Sequence, residues 1–281
     1  MKIAFVGDSF CMNYDRGSID WPAVVAGTLG AEILQTGFGG QPFYPSVELF
    51  LSDNFYKADY VVMCPTEPYR IYNIHNLPIN GVWVDQITNK KGDHWAHIKS
   101  GYYEEKYNIP NKVLVKEITA GAKAYYDHFM TNTYAKMTNI ALIAWLDNLL
   151  KEHNKKVIWL PSFYHSFLYS SLYCDFVNQE PLDPIHPDVY YVPVSGPSAN
   201  IPLFDISKAE LEQHSLLNLN EEEINDKVAN DRRHNHFNKE NNGIIAKMVL
   251  DIIEKDDFSP KAIHMEEYFS HLDLSNIKRV R

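Results

Sequence analysis

The sequence predicts an α/β fold with a parallel sheet covered on both faces, because strand-like and helix-like segments alternate along the chain. Three strand-like segments are short and apolar, and each is followed by Gly or Pro: residues 3–6, 60–64 and 157–160. Ser9 comes shortly after the first of them. Open α/β sheets keep their ligand crevice outside the carboxyl ends of the strands. Functional residues are therefore expected in the segments that follow these strands.

Helical patterns fill the intervals between the strands and close the framework. They span residues 21–30, 45–51, 120–153 and 239–255. The first has Asp20 as a candidate N-cap and Gly30 as its stop. A further strand-like segment, residues 31–34, leads towards Gly37. The order of the elements is thus that of repeated β-α units.

Ser9 stands in a Gly7-Asp8-Ser9 block at the end of the first strand. A serine hydroxyl is a weak nucleophile at neutral pH, and it needs a base within hydrogen-bond reach that is itself oriented by a third group. A histidine suits the base, and a carboxylate fixes its tautomer. Taken alone, the block equally suits a turn or a helix cap. The rest of the chain decides between these interpretations.

Candidate partners for Ser9 lie directly before the last helix, where Asp231, His234 and His236 occur together. With the Gly-Asp-Ser block, they resemble the SGNH (GDSL-type) hydrolase family, and in particular its divergent phage-encoded members. The resemblance implies Ser9 as the nucleophile, His236 as the base and Asp231 as the orienting carboxylate. The family's Asp normally stands three positions before its His, a spacing that Asp231 has with His234 instead. His234 therefore remains an alternative base.

The segments after the strand-like residues 31–34 and 60–64 can be compared with the second and third blocks of the family. The last glycine of the second block, here Gly40, donates a backbone N–H to the oxyanion in the family. The third block normally contains an Asn that this chain lacks. The resemblance then implies the N–H groups of Ser9 and Gly40 as oxyanion donors, with Thr66 or Arg70 in place of the Asn.

The same resemblance implies a flavodoxin-like, three-layer α/β/α domain with a central, mostly parallel five-stranded sheet over residues 1–255. Two long insertions, at about 72–119 and 164–220, are rich in aromatic residues. Loops of this length are usually functional, and aromatic faces beside a crevice suit sugar rings, although they equally suit small cores of their own. Residues 256–281 form a polar tail with Met265, Tyr268, Phe269 and Leu272 spaced for one amphipathic helix that packs on the body or on a partner subunit.

Composition argues against several other classes of protein. The net charge of -10 and the pI of about 5.6 disfavour a nucleic-acid partner, because phosphate contacts require basic patches. No apolar run approaches the roughly 18 residues of a membrane span, and no signal peptide is recognisable. A cytoplasmic or virion-associated location is therefore expected, with no membrane partner.

Neither a metal nor another cofactor is predicted. The 3 cysteines are widely spaced, which indicates a reducing compartment and gives no zinc pattern. His94 and His97 have no third ligand nearby. Asp183 and His186 also have the Asp-x-x-His spacing of a catalytic pair, but a Tyr- and Pro-rich stretch follows them instead of a helix.

The sequence thus predicts a serine esterase that removes acetyl or similar acyl groups, with a small-molecule or glycan ester as its substrate. One alternative is a non-catalytic SGNH-like protein that binds glycans or serves as a structural part of a phage particle, and the altered third block favours it. The other is a sugar O-acyltransferase that uses the same triad. Fold analogy alone does not distinguish these three functions. The sequence also leaves open whether the protein forms a homo-oligomer.

Overall fold

The computed structural model describes most of the framework and little of the two predicted insertions. The described residues are 1–13, 20–66, 70–72, 117–163 except 119, 123, 126–127 and 130–131, then 168–169, 192–213 and 237–275.

Eight strands occur in the described part of the chain. They are β1 (Lys2–Gly7), β2 (Glu32–Gln35), β3 (Tyr60–Cys64), β4 (Lys156–Trp159), β5 (Leu168–Tyr169), β6 (Val192–Pro193), β7 (Ser198–Ala199) and β8 (Ala262–Ile263). Six of them form one sheet in the order β2-β1-β3-β4-β7-β8, and every pairing in it is parallel. The α/β parallel sheet is therefore confirmed, whereas the predicted number of five strands is one too small.

The direction of winding reverses at β1. The chain passes from β1 to β2 on one side, and then crosses to β3 and continues outwards through β4 on the other side. In sheets of this order the ligand crevice lies at the carboxyl ends of β1 and β3. The residues that follow these two strands, beginning at Asp8 and at Pro65, therefore lie where a ligand is expected.

Six α-helices with defined bounds accompany the strands, and several described residues between 117 and 128 are also helical. The six helices are α1 (Trp21–Leu29), α2 (Phe43–Leu49), α3 (Asn132–Glu152), α4 (Leu203–Gln213), α5 (Lys239–Lys255) and α6 (Met265–Tyr268). A 3₁₀ turn spans Ser9–Cys11, and a π-helical segment, Phe50–Asn54, continues α2. As predicted, α1 has Asp20 at its N-cap, and it ends at Gly30, whose φ of 58° is a left-handed conformation that glycine adopts at no steric cost.

The two faces of the sheet carry separate hydrophobic cores. Successive side chains of a strand point to opposite faces, so β1 contributes to both. Ile3 and Phe5 pack in the core that contains the buried faces of α1, α4 and α5. Ala4 and Val6 pack in the core that contains α2 and α3. Helices thus cover both faces, which is the arrangement that the alternating sequence pattern predicts. No helix among the described residues combines the length and apolar character needed to cross a bilayer.

The C-terminal tail packs on the body of the molecule. Its strand β8 pairs with β7, and Asn200 accepts a hydrogen bond from the Met265 N–H at 2.9 Å through its side-chain oxygen. Instead of the longer amphipathic helix that the sequence predicts, the tail forms β8 and the four-residue α6. Met265, Phe269 and Leu272 are nevertheless buried, as the apolar spacing requires. The sixth strand was missed because a two-residue strand carries no recognisable alternation.

We expect Phe269→Ala to lower the free energy of unfolding by about 3–5 kcal/mol, because the ring is 0% exposed and its removal leaves a cavity. Phe129→Ala is the matched control, since that ring is 71% exposed and should change stability by less than about 0.5 kcal/mol. Urea unfolding measures both. Equal unfolding midpoints for the two variants would contradict a structural role for the tail.

Candidate active site

The segments that follow the central strands lie side by side at the carboxyl edge of the sheet. The N–H of Gly37 donates to Cys11 O and the N–H of Phe38 donates to Gly7 O, both at 3.0 Å. A Cβ on Gly37 would lie 2.0 Å from the backbone oxygen of Asp8. The loop after β2 can therefore approach the loop after β1 this closely only because residue 37 is glycine.

The carboxylate of Asp8 is the centre of a buried polar network at this edge. Its Oδ1 accepts hydrogen bonds from the Ser162 hydroxyl at 2.8 Å and from the Phe10 N–H at 3.1 Å. Its Oδ2 accepts one from the Thr66 hydroxyl at 2.9 Å and lies 3.4 Å from Nη2 of Arg70. Asp8 is 0% exposed, so these partners replace the water that a carboxylate would otherwise bind.

Arg70 extends this network to the loop after β2. Its Nη1 donates to the backbone oxygen of Gln41 at 3.1 Å, and its guanidinium lies 5.1 Å from the centroid of the Phe163 ring. The side chain is buried, so both charges of the Asp8–Arg70 pair lie inside the protein. The pair has no net charge, and it connects the segments that follow β1, β2, β3 and β4.

Ser9 lies beside this network in the 3₁₀ turn that follows β1, and it is 6% exposed. The Asp8 carboxylate caps the turn through the Phe10 N–H. Ser9 therefore lies in a capped turn at the edge of the sheet where the sequence predicts a nucleophile.

Besides Ser9, the other three predicted oxyanion residues also lie near this edge. Gly40 has a φ of 72° in the loop after β2, and no residue that the structure describes accepts a hydrogen bond from its N–H. The single hydroxyl proton of Thr66, in contrast, is directed to Asp8. Arg70 contacts Asp8 and Gln41. The oxyanion roles of these residues stay predictions, and Gly40 has the least competition for its donor.

Asp231, His234 and His236 lie outside the described residues. The structure does describe Phe237, the residue after His236. The ring of Phe237 packs on the ring of Phe10, with 5.5 Å between centroids. Trp21 Nε1 donates to Phe10 O at 2.6 Å. Asn242 then accepts from the Trp21 N–H at 3.0 Å and donates to Phe237 O at 3.0 Å. The residue after Ser9 and the residue after His236 are thus connected both by ring packing and by hydrogen bonds.

A second buried polar group holds the start of α5. Asn238 caps the helix by accepting from the Asn241 N–H at 2.8 Å. The carboxyl of Glu210, on α4, accepts hydrogen bonds from the Asn241 side chain and from the Asn238 backbone. Burial raises the pKa of Glu210 to about 7. On the other side, Asn241 Oδ1 lies 3.1 Å from Nε2 of His271 in the tail. The backbone two residues after His236 is therefore held by α4 and by the tail.

Two thiols lie near Ser9 but are poor competitors for its role. Cys11 and Cys64 are both buried against Gly7. Burial raises the pKa of Cys64, with a smaller contribution from the neighbouring Cys11 thiol, so the reactive thiolate is disfavoured. In the described part of the chain, no group of three or more His, Cys, Asp or Glu side chains is placed to hold a metal ion.

Sequence reasoning missed Asp8 and Ser162 as members of the site. The sequence prediction gives Asp8 no role beyond the Gly7-Asp8-Ser9 block, and it gives Ser162 no role in the site. The available signal was that hydroxyl residues, Thr66 and Ser162, follow two neighbouring strands, one residue beyond a proline in each case. Because these strand ends meet at one edge, an acidic residue after β1 has two hydroxyl donors within reach.

We expect Asp8→Ala to destabilise the fold by about 3–5 kcal/mol, because it leaves the buried guanidinium of Arg70 without its partner. The double variant Asp8→Ala/Arg70→Leu should recover part of that loss, since no unpaired charge is then buried at this site. Glu32→Ala is the control, because it breaks an exposed pair with Lys2, with side chains 44% and 62% exposed, worth at most about 1 kcal/mol. If Asp8→Ala unfolds at the same denaturant concentration as Glu32→Ala, the network does not support the fold.

Glu210 should make stability depend on pH. Its pKa is raised from 4.5 to about 7 on folding, so the native state binds this proton more tightly than the unfolded chain does. Its contribution is therefore fully present below about pH 4.5 and is lost as the pH rises through about 7. Unfolding of Glu210→Gln should show less of this decline, whereas Glu254→Gln, on the exposed face of α5, should keep it. Parallel stability curves for Glu210→Gln and wild type would contradict the assignment.

Comparison with protein-family models, curated proteins and solved structures finds no match to this chain. The resemblance to SGNH hydrolases accordingly rests on the short motifs alone.

Proposed function

We propose that this protein is an SGNH-like serine esterase that hydrolyses acyl esters, most simply acetyl esters of a carbohydrate. Ser9 acts as the nucleophile, His236 as the general base and Asp231 as the carboxylate that orients the histidine. The observation that carries the proposal is the packing of Phe10 on Phe237.

That contact supports the proposed Ser–His pair. Ser9 and His236 directly precede the two packed phenylalanines, and consecutive Cα atoms are only about 3.8 Å apart. The Trp21–Asn242 hydrogen bonds hold the same two backbone segments from a second direction. Residues 10 and 237, far apart in the chain, therefore meet at the carboxyl end of β1, as a Ser–His pair requires.

The electrostatics support a separate carboxylate for the histidine. Asp8 follows β1 and is closest in sequence to Ser9, but its two oxygens are already engaged by Ser162, Phe10, Thr66 and Arg70. A carboxylate so occupied is a poor acceptor for the imidazole N–H. The assignment of Asp231 to that role is consistent with this division.

The reaction then follows from these groups. Ser9 Oγ attacks the ester carbonyl carbon while His236 takes its proton, and the carbonyl oxygen becomes the oxyanion. The N–H groups of Ser9 and Gly40 stabilise that charge, each such donor typically contributing about 3 kcal/mol. Collapse of the intermediate expels the alcohol, which receives the proton from His236, and leaves an acyl-serine. Water activated by the same histidine releases the acid.

A non-catalytic protein with the SGNH variant of this fold is the second candidate. It is favoured by the missing Asn in the third block and by Thr66, whose hydroxyl proton is directed to Asp8 instead of being available to an oxyanion. An acyltransferase would use the same groups, with a sugar hydroxyl in place of water. The expected cytoplasmic or virion-associated location is compatible with all three.

Wild-type protein should hydrolyse p-nitrophenyl acetate, and Ser9→Ala should reduce kcat/KM by several orders of magnitude, because loss of one triad member removes most of the catalysis. A chelator should leave the rate unchanged. Release of p-nitrophenol measures both effects. Equal rates for wild type and Ser9→Ala would exclude the serine mechanism.

Among the variants of residues before α5, the activity of His236→Ala should fall to that of Ser9→Ala, and the activity of Asp231→Asn should be strongly reduced. His234→Ala is the matched control, and it should keep most of the activity. The same ester assay distinguishes them. An inactive His234→Ala together with an active His236→Ala would assign the base to His234.

A further inference from the structure

Two partly exposed tyrosines form a corner next to the candidate site. Tyr44 is 44% exposed and Tyr72 is 43% exposed. Their ring centroids lie 5.4 Å apart, with 69° between the ring planes. Large aromatic side chains usually bury more of their surface, so an exposed pair in direct contact is available to a ligand.

This tyrosine corner is attached to the network that surrounds Asp8. Tyr44 lies in the first turn of α2, which begins directly after the Gly40 loop. Tyr72 is two residues beyond Arg70, and Arg70 donates to the backbone oxygen of Gln41 at 3.1 Å. The bond between Arg70 and Gln41 therefore holds together the two backbone segments that carry the rings. A ligand on the corner would lie at the same edge of the sheet as the carboxyl end of β1.

The chemistry of the corner indicates a sugar in preference to an acyl chain. An acyl chain requires an apolar pocket closed to water, whereas the two tyrosines are 44% and 43% exposed to solvent. The Tyr44 hydroxyl lies 3.5 Å from Oε1 of Glu48, so polar groups stand beside the rings. A sugar ring offers C–H groups for the aromatic faces and hydroxyls for these polar neighbours.

The charges nearby indicate an uncharged sugar. Asp8 neutralises Arg70, which is the cation closest to Tyr72 in the described sequence. Glu48 adds a negative charge beside Tyr44, and the chain as a whole carries a net charge of -10. An anionic sugar would be repelled from such a surface.

We propose that Tyr44 and Tyr72 form a subsite for an uncharged sugar ring of the substrate. As a statement about the substrate this rests on the proposed esterase function, but the binding itself requires no catalysis. The subsite supplies contacts remote from the scissile bond, which a minimal ester does not use.

Binding in the Ser9→Ala background tests the subsite. Isothermal titration with xylohexaose, cellohexaose and hexa-N-acetylchitohexaose should detect binding of at least one of these uncharged oligosaccharides. Tyr44→Ala and Tyr72→Ala should each weaken that binding by about 10-fold or more, which corresponds to about 1.4 kcal/mol. Tyr44→Phe and Tyr72→Phe should retain most of it, because the aromatic face remains.

Tyr56→Ala is the matched control. Tyr56 is 81% exposed and lies against His153, before β3 and therefore at the opposite edge of the sheet. Its replacement should leave sugar binding unchanged.

Three results would overturn the subsite: no binding of any of the three sugars, binding that both alanine variants retain, or tighter binding of anionic hexagalacturonate. The p-nitrophenyl acetate assay separates this proposal from the esterase function. Activity on that ester without tyrosine-dependent sugar binding would contradict the subsite but not the esterase function. Tyrosine-dependent sugar binding without Ser9-dependent activity would contradict the esterase function and indicate a glycan-binding protein.

Discussion

The arrangement of the candidate site depends on one buried carboxylate, that of Asp8. A buried charge costs several kcal/mol unless its partners replace water, and here the ends of β1, β3 and β4 all supply such partners. The requirement to satisfy both oxygens therefore fixes the positions of those strand ends relative to each other. Through Arg70 and Gln41 the same requirement reaches the loop after β2, which carries Gly40.

A different set of contacts brings together the segment after β1 and the start of α5. Trp21 donates to Phe10 O and to Asn242, and Asn242 donates to Phe237 O. Because Trp21 is also buried against Phe5, this hydrogen-bonded link is part of the core between the sheet and α1. The backbone beside Ser9 and the backbone after His236 are thus positioned by core packing as well as by local loop structure. Such support on rigid elements is what a site with strict geometry needs.

Local patterns predicted the parts of the fold that local chemistry determines. The strands β1 to β4 were recognised because they are short apolar runs followed by a turn, and α1 because Asp20 and Gly30 mark its ends. The strands β7 and β8 were not recognised, because two residues carry no pattern and their pairing is decided by the packing of the tail. The predicted helical range 120–153 contains α3, which spans Asn132–Glu152, and further helical residues before it.

The candidate site was predictable only where the chain carries motifs. The Gly-Asp-Ser block indicated the edge at which Ser9 lies, whereas the close backbone approach at Gly37 was not predicted. The bond from Ser162 to Asp8 spans 154 residues, and nothing in a single sequence encodes so distant a pairing. The partners of Thr66 and Arg70 could not be predicted for the same reason, because each depends on where a different strand ends.

The central claim is that Ser9 is an activated nucleophile, and its covalent trapping tests that claim most directly. Incubation with a fluorophosphonate should let Ser9 Oγ displace fluoride from phosphorus and form one stable phosphonyl ester. Intact-mass spectrometry should show a single addition, peptide mapping should place it on Ser9, and His236→Ala should react far more slowly. An unmodified protein, or an adduct at any residue other than Ser9, would contradict the account.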